Sequence, residues 1–246
     1  MGRQQLRIIR SEKMDTDIIK NQVFPGIWVY KNQLNKDIIN SVENFLNKYP
    51  EEYKWLEALV GYAQKVPQYR DCVDFKIQKH DVKEPSESRK ELNNIWQYAF
   101  DMQINAVKDY CKMYSIDMQY WEAMNFIKYG PGQHFQEHSD HGFSYIATVS
   151  LVSYPNDDYE GGELYFPKLN LTIKPEAGDI VIFPSTYLFS HRAMPVKSGT
   201  KYSIVTMLDY NDNTHNPDFD LLRMKRTNST VPRESDSNGN HKGISY

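Results

Sequence analysis

The sequence predicts an α+β protein that is mainly β, with helices in its first half and a sandwich or barrel in its second. Three observations predict this. Two segments before residue 118 carry apolar residues at helical spacing. After Met118, turn signals recur at short intervals (YGPGQ, SDHG, YPNDDYEGG, KPEAGD, KSG) between runs rich in Val, Ile, Tyr and Phe. Helices and strands do not alternate, so the helices cannot be βαβ crossovers and are expected to pack on one outer face of the β-structure.

Residues 1–30 are mixed and end in VFPGIWVY, an expected strand. In NKDIINSVENFLNKYP, Ile38, Ile39, Val42, Phe45 and Leu46 mark one helix face, with Asn35 as the expected N-cap and Pro50 as the stop. YRDCVDFKIQ reads as a further strand. Residues 86–114 contain neither Gly nor Pro, and Leu92, Ile95, Trp96, Phe100, Ile104 and Val107 form one stripe of a long amphipathic helix. The later runs YIATVSLVSY, GELYF, DIVIF and KYSIVTML read as strands, and from Asn211 the chain becomes polar.

The 246 residues, 40% hydrophobic and 13% aromatic, suffice for a sizeable core. The 18 Tyr suit a partly polar cavity, because a phenol packs and hydrogen-bonds at once. A formal net charge of −3 with no basic stripe argues against a nucleic-acid surface. Two cysteines, Cys72 and Cys111, make no disulfide framework and fit a reducing compartment. No long apolar segment suggests a signal peptide or a membrane span, and Leu6 spoils a myristoylation signal after Met1-Gly2, so the expected location is cytoplasmic.

Three of the seven histidines fall in HFQEHSDHG, residues 134–142. Gly130, Pro131 and Gly132 before the window and Gly142 at its end leave too little room for a helix. On a strand, side chains alternate, so His138 and Asp140 share a face and His141 points away. An imidazole and a carboxylate on one side are two members of the 2-His-1-carboxylate set that non-haem Fe(II) oxygenases use, which leaves coordination positions open. His191, after the apolar run DIVIFPS, is the best candidate for the third; His80, His215 and His241 lie in polar or terminal contexts. An isolated H-x-D is a weak signal, and most such pairs are surface polar residues or capped turns.

The order of motifs is more specific. Tyr129 and Gly132 precede His138 and Asp140. Gly161-Gly162-Glu163-Leu164-Tyr165-Phe166 follows, then Pro175, Gly178, Asp179 and Phe183, then His191, Pro195, Val196, Gly199 and Lys201. Over residues 122–210 this set resembles the prolyl 4-hydroxylase-like branch of the Fe(II)/2-oxoglutarate-dependent dioxygenases.

The resemblance implies a double-stranded β-helix (a jelly-roll, cupin-like core) at residues 119–210, with residues 1–118 as helical support. The two would form a single oxygenase domain, 1–210, followed by a polar tail, 211–246. It implies Fe(II) on His138, Asp140 and His191. It implies Lys201 on the far carboxylate of 2-oxoglutarate, with Tyr129 in contact with the co-substrate. Thr148 and Ser150 are expected to line the same pocket. O2 is the second co-substrate, and ascorbate a further expected ligand. The implied reaction hydroxylates an amino-acid side chain, a prolyl residue in a protein or peptide first among them, and converts 2-oxoglutarate to succinate and CO2.

The substrate wall departs from the branch. Tyr145 stands near an expected Arg, Tyr202 stands where Trp is usual, and Met207 and Asp209 replace an aromatic and a His. A free amino acid or small metabolite is the alternative substrate. A zinc hydrolase and a non-catalytic β-barrel binding module are the competing classes, and dependence on 2-oxoglutarate separates them from an oxygenase.

Overall fold

The computed structural model describes residues 18–60, 64–79, 83–142 and 147–210. In chain order the elements are β1 (Lys20–Phe24), β2 (Ile27–Tyr30), α1 (Asp37–Lys48), β3 (Leu56–Glu57), β4 (Arg70–Asp71), β5 (Val73–Ile77) and α2 (Glu87–Tyr114). There follow β6 (Tyr120–Trp121), β7 (Met124–Tyr129), β8 (His134–His138), β9 (Val149–Tyr154), β10 (Glu160–Gly161) and β11 (Leu164–Phe166). The last are β12 (Leu171–Ile173), β13 (Asp179–Pro184), β14 (His191–Ala193), β15 (Val196–Ser198) and β16 (Lys201–Asp209). The polar tail from residue 211, with His215 and His241, lies outside the described residues, as do residues 1–17, His80 and Tyr145.

The strands form a large sheet in the order β1-β2-β13-β9-β16-β7-β5-β3, with β6 also on β16, and a smaller sheet in the order β12-β11-β14-β8-β4. Every pairing is antiparallel. One face of the large sheet carries Ile27, Val29, Val152, Tyr154, Val181 and Phe183, which cluster with Leu164, Phe166 and Ile173 of the small sheet. That cluster is the space between the sheets. The alternate residues, among them Leu151, Ile180, Ile182, Ile204 and Leu208, point the other way and cluster with the helices. Apolar residues on both faces explain why β9 and β13 read as continuous apolar runs rather than alternating ones.

Both helices therefore pack on the outer face of the large sheet, as expected from their order in the chain. In α1, Ile38, Val42, Phe45 and Leu46 are buried, while Ile39 is only partly so. Asn35 acts one position earlier than expected: its Oδ1 accepts the Asp37 N–H at 3.0 Å, and the helix begins at Asp37. At the start of α2, the Ser86 hydroxyl accepts the Arg89 N–H at 3.2 Å. The buried line of α2 runs through Leu92, Ile95, Trp96, Ala99, Gln103, Ala106, Val107 and Tyr110. The expected stripe missed the small residues, which let the helix approach the sheet, and Phe100 and Ile104 stay half-buried. Gln103 is fully buried; its Nε2 donates to Ser153 Oγ at 3.0 Å, and its Oε1 accepts from Thr206 at 3.4 Å.

Two expected single strands are divided. VFPGIWVY is a hairpin, β1 to β2, that turns at Gly26 with φ +86°, a conformation glycine adopts without steric cost. YRDCVDFKIQ breaks at Cys72: β4 pairs with β8 in the small sheet, and β5 with β7 in the large one. Among the described residues no helix is long and apolar enough to cross a membrane.

Candidate active site

The small sheet brings the two histidines together. His191 on β14 is the direct register partner of His138 on β8, and side chains opposite one another in an antiparallel pair share a face. Their ring centroids are 4.4 Å apart. Phe135 stacks on His138 at 3.6 Å, and Phe183 meets His191 edge-on at 4.9 Å. These apolar neighbours fix the rings and keep water away.

Asp140 does not lie on the strand, as the alternation argument expected. The strand ends at His138, and Asp140 sits in the bend beyond it. His141 anchors that bend. Its N–H donates to Ser185 O at 3.0 Å, and its Nδ1 donates to Ala147 O at 2.7 Å. Asp140 Oδ1 thereby comes to 3.5 Å from His138 Nε2, and Oδ2 to 3.7 Å from His191 Nε2. One ligating atom from each of the three residues lies within 4.8 Å of the others.

The imidazoles present the correct nitrogens. His138 Nδ1 donates to Gln136 O at 2.8 Å and His191 Nδ1 to Phe189 O at 3.2 Å, so each ring turns its Nε2 toward Asp140. Burial, reinforced by the neighbouring His191, pushes His138 down to about 3. It is therefore neutral at ordinary pH, the form a metal needs. Two imidazoles and one carboxylate, nearly enclosed, suit a divalent cation of the first transition row.

Deeper between the sheets lies Lys201, opposite Tyr129 in the pairing of β16 with β7. It is 2% exposed, and its Nζ donates to Gly162 O at 2.6 Å. The ammonium lies over the rings of Tyr129 and Tyr154, at 5.2 and 5.4 Å from their centroids. Burial lowers Lys201 to about 8, against an opposing pull from Glu163. Among the described residues no carboxylate pairs with it, an arrangement that costs several kcal/mol unless an anion arrives (about 3–5 kcal/mol for an uncompensated buried charge). Gly162 makes room for it: a Cβ there would lie 2.9 Å from Lys201 Cδ.

Other residues fall elsewhere. Thr148 is not hydrogen-bonded to the triad; its hydroxyl donates to Asp209 Oδ1 at 2.6 Å. Ser150, named beside Thr148, touches Asp140 directly. His134 sits between Gly132 O and Gln68 O, and Glu137 accepts from Lys168 and Ser190 outside the site. Arg192 lies over Tyr165, away from Lys201. Tyr202 faces outward and donates to Glu43 at 2.8 Å, so its identity says nothing about the substrate wall. Tyr154 and Ser185 escaped the sequence reading. Tyr154 was within reach, because it is four residues from Ser150 on one strand and shares its face.

Residues 124–208 match the family model of the 2OG-Fe(II) oxygenase superfamily. The chain is similar to a PKHD-type hydroxylase of Crocosphaera subtropica, 33% identical over 101 residues that make up 37% of this chain and 44% of that one. It is also similar to Prolyl 4-hydroxylase 1 of Arabidopsis thaliana, 27% identical over 184 residues, 63% of each chain. The matches thus span less than two thirds of either relative. Among solved structures it resembles a prolyl hydroxylase from Trichoplax adhaerens in complex with a hypoxia inducible factor oxygen degradation domain peptide fragment. That likeness has a TM-score of 0.59 at 15% identity and covers 75% of this chain and 84% of that one. It shows the fold, a double-stranded β-helix with helices on one sheet. Over residues 124–208, the segment that carries the triad and Lys201, the chain is similar to the 2OG-Fe(II) oxygenase superfamily.

Proposed function

We propose that this chain is an Fe(II)- and 2-oxoglutarate-dependent dioxygenase that hydroxylates an amino-acid side chain, with a prolyl residue in a protein or peptide as the first substrate class. Residues 1–210 would form its single oxygenase domain. The observation that carries the reading is a pairing: a buried His138–Asp140–His191 cluster at the small sheet and, on β16 of the large sheet, a buried ammonium with no carboxylate partner among the described residues. A metal centre alone would not call for the second. A dicarboxylic acid that chelates a metal at one end and presents an anion at the other satisfies both.

In this reading His138, Asp140 and His191 hold the iron through Nε2, one carboxylate oxygen and Nε2. Lys201 takes the distal carboxylate of 2-oxoglutarate, and Tyr129 and Tyr154 form the walls between. Bound iron supplies open positions for 2-oxoglutarate and O2, whose conversion to succinate and CO2 drives the hydroxylation. The chain's own part is to orient, to exclude water and to supply one fixed positive charge. Ascorbate would serve to keep the iron reduced. The relatives' names, and the peptide bound to the Trichoplax protein, support a peptidyl substrate. Met207 and Asp209 on the interior wall favour a substrate end different from that of the peptide-acting branch.

The test is succinate release from 2-oxoglutarate with Fe(II), ascorbate and O2, first without prime substrate and then with proline-containing peptides and free amino acids. Release from wild type and none from His138→Ala is the expected result. The reading fails if wild type neither makes succinate nor binds 2-oxoglutarate in calorimetry with Mn(II) in place of iron.

A further inference from the structure

Asp140 is placed so that both of its oxygens face the histidine pair, Oδ1 toward His138 and Oδ2 toward His191. A carboxylate so placed is able to ligate through one oxygen or through two. The difference matters for the reaction proposed above, on which this inference rests. With two imidazoles and one carboxylate oxygen, a six-coordinate metal keeps three positions, enough for a chelating 2-oxoglutarate and O2. A second carboxylate oxygen would take one of them.

Two buried hydroxyls lie beside Oδ2 and bear on that choice. Ser150 on β9 lies with its Oγ 2.6 Å from Asp140 Oδ2, and Ser185, just past β13, lies with its Oγ 2.7 Å from Ser150 Oγ. Ser150 is 0% and Ser185 1% exposed, so neither hydroxyl has water to turn to. An ionised carboxylate only accepts. The single proton of Ser150 therefore goes to Oδ2, and Ser150 in turn accepts the proton of Ser185. Met207 Sδ, 3.6 Å from Ser150 Oγ, is a weak acceptor, and the neutral Ser185 hydroxyl is a weaker one than a carboxylate oxygen. Ser185 cannot drift, because its N–H donates to Thr148 O at 3.1 Å and its carbonyl accepts from His141, the residue after Asp140, at 3.0 Å.

We propose that Ser150, backed by Ser185, is a positioning residue that reserves Asp140 Oδ2 and so confines Asp140 to one ligating oxygen, leaving the metal the position its co-substrates need. A short hydroxyl-to-carboxylate bond in a dry site is of the stronger, charge-assisted kind. A merely structural serine pair would fill space and satisfy its own hydroxyls. It would not alter how many water molecules the metal carries.

That count is the experiment. Full-length wild type, Ser150→Ala, Ser150→Thr and Ser185→Ala are loaded with Mn(II), and exchangeable waters on the metal are counted from water-proton relaxation and from line broadening in oxygen-17 water. Ser150→Ala is expected to hold Mn(II) at least as tightly as wild type, with one water fewer. Its affinity for 2-oxoglutarate, titrated on the Mn(II) form, is expected to fall by about 10-fold or more. Ser150→Thr, which keeps a hydroxyl on the same Cβ, is expected to restore both. Ser185→Ala, which removes only the backing bond, is expected to lie between. An unchanged water count in Ser150→Ala, or Mn(II) and 2-oxoglutarate affinities that fall together, overturns the proposal. If Ser150→Ala does not fold, Ser185→Ala decides by the same count. The count needs only the metal, so the two failures are distinguishable: a wild type that fails to bind 2-oxoglutarate sinks the functional reading, and an unchanged count in Ser150→Ala sinks this inference alone.

Discussion

The two ends of the interior solve opposite electrostatic problems. At the metal end, two imidazoles and one carboxylate converge, with each Nδ1 held on a carbonyl and Oδ2 on Ser150, while both Nε2 atoms and Oδ1 are left facing one another. At the deep end, Lys201 is an uncompensated positive charge that a carbonyl and two aromatic faces only partly satisfy. The first end is finished by a cation, the second by an anion. A cavity built this way favours a ligand pair that carries both, and it fixes the direction in which a dicarboxylate enters.

The largest expected effect breaks the metal end alone. Asp140→Ala removes its only carboxylate, so Mn(II) binding and succinate formation are expected to be lost outright, while the fold, followed by circular dichroism, persists. Lys201→Ala should break the other end. Affinity for 2-oxoglutarate on the Mn(II) form is expected to drop by about 2–5 kcal/mol, the range for losing one partner of a buried charge pair. Mn(II) affinity should stay as in wild type, and a parallel loss of both would mean that the two ends are not separate.

A pH titration sharpens the contrast. Lys201 must be charged to hold a dianion, and burial has brought it from 10.5 to about 8. Affinity for 2-oxoglutarate is thus expected to fall above pH 8, by about tenfold per pH unit. Without ligand the sign reverses. Between pH 8 and 10.5 the unfolded chain holds the Lys201 proton that the folded chain has lost. The cost of burying this charge is therefore full below pH 8 and is relieved as pH rises across that window, so stability rises with pH there. Denaturant unfolding across pH 7–10 checks it.

Two smaller effects mark the limits of the deep end. Gly162 has φ +65°, and an added Cβ would meet Lys201 Cδ at 2.9 Å and Tyr159 at 3.1 Å. Gly162→Ala is expected to cost about 1–2 kcal/mol of stability and to weaken 2-oxoglutarate more than Mn(II). Glu43→Gln loosens the network of Lys128, Tyr202 and Trp55 on the outer face. It should change neither ligand's affinity, and stability by less than about 1 kcal/mol.

The contrast also explains what was legible in the sequence. Periodicity located both helices and the principal strands, because burial on one face or on both leaves a period in the chain. His138, Asp140, His191 and Lys201 were nameable because they lie at fixed spacings among turn glycines. The partners were not. Ser150 and Ser185 are thirty-five positions apart, and only the pairing of β9 with β13 makes them neighbours. Nor does any local pattern say that the strand ends at His138. The bend that carries Asp140 is set by His141 reaching Ala147 and Ser185. The division at Cys72 was hidden for the same reason: one apolar run feeds two sheets, and one run has no way to show it.

The amide of Gln103 acts as a key in a slot. Its two arms engage Ser153 and Thr206 on adjacent strands, β9 and β16, beneath an otherwise apolar helix seat. Leucine there would grip as well at several offsets; an amide grips at one. A shift of α2 by a single turn, about 5.4 Å, would strand a donor and an acceptor in a dry seat. The helix is thereby indexed to the two strands that carry Ser150 and Lys201, so the distance between the ends of the interior is gauged from outside the barrel.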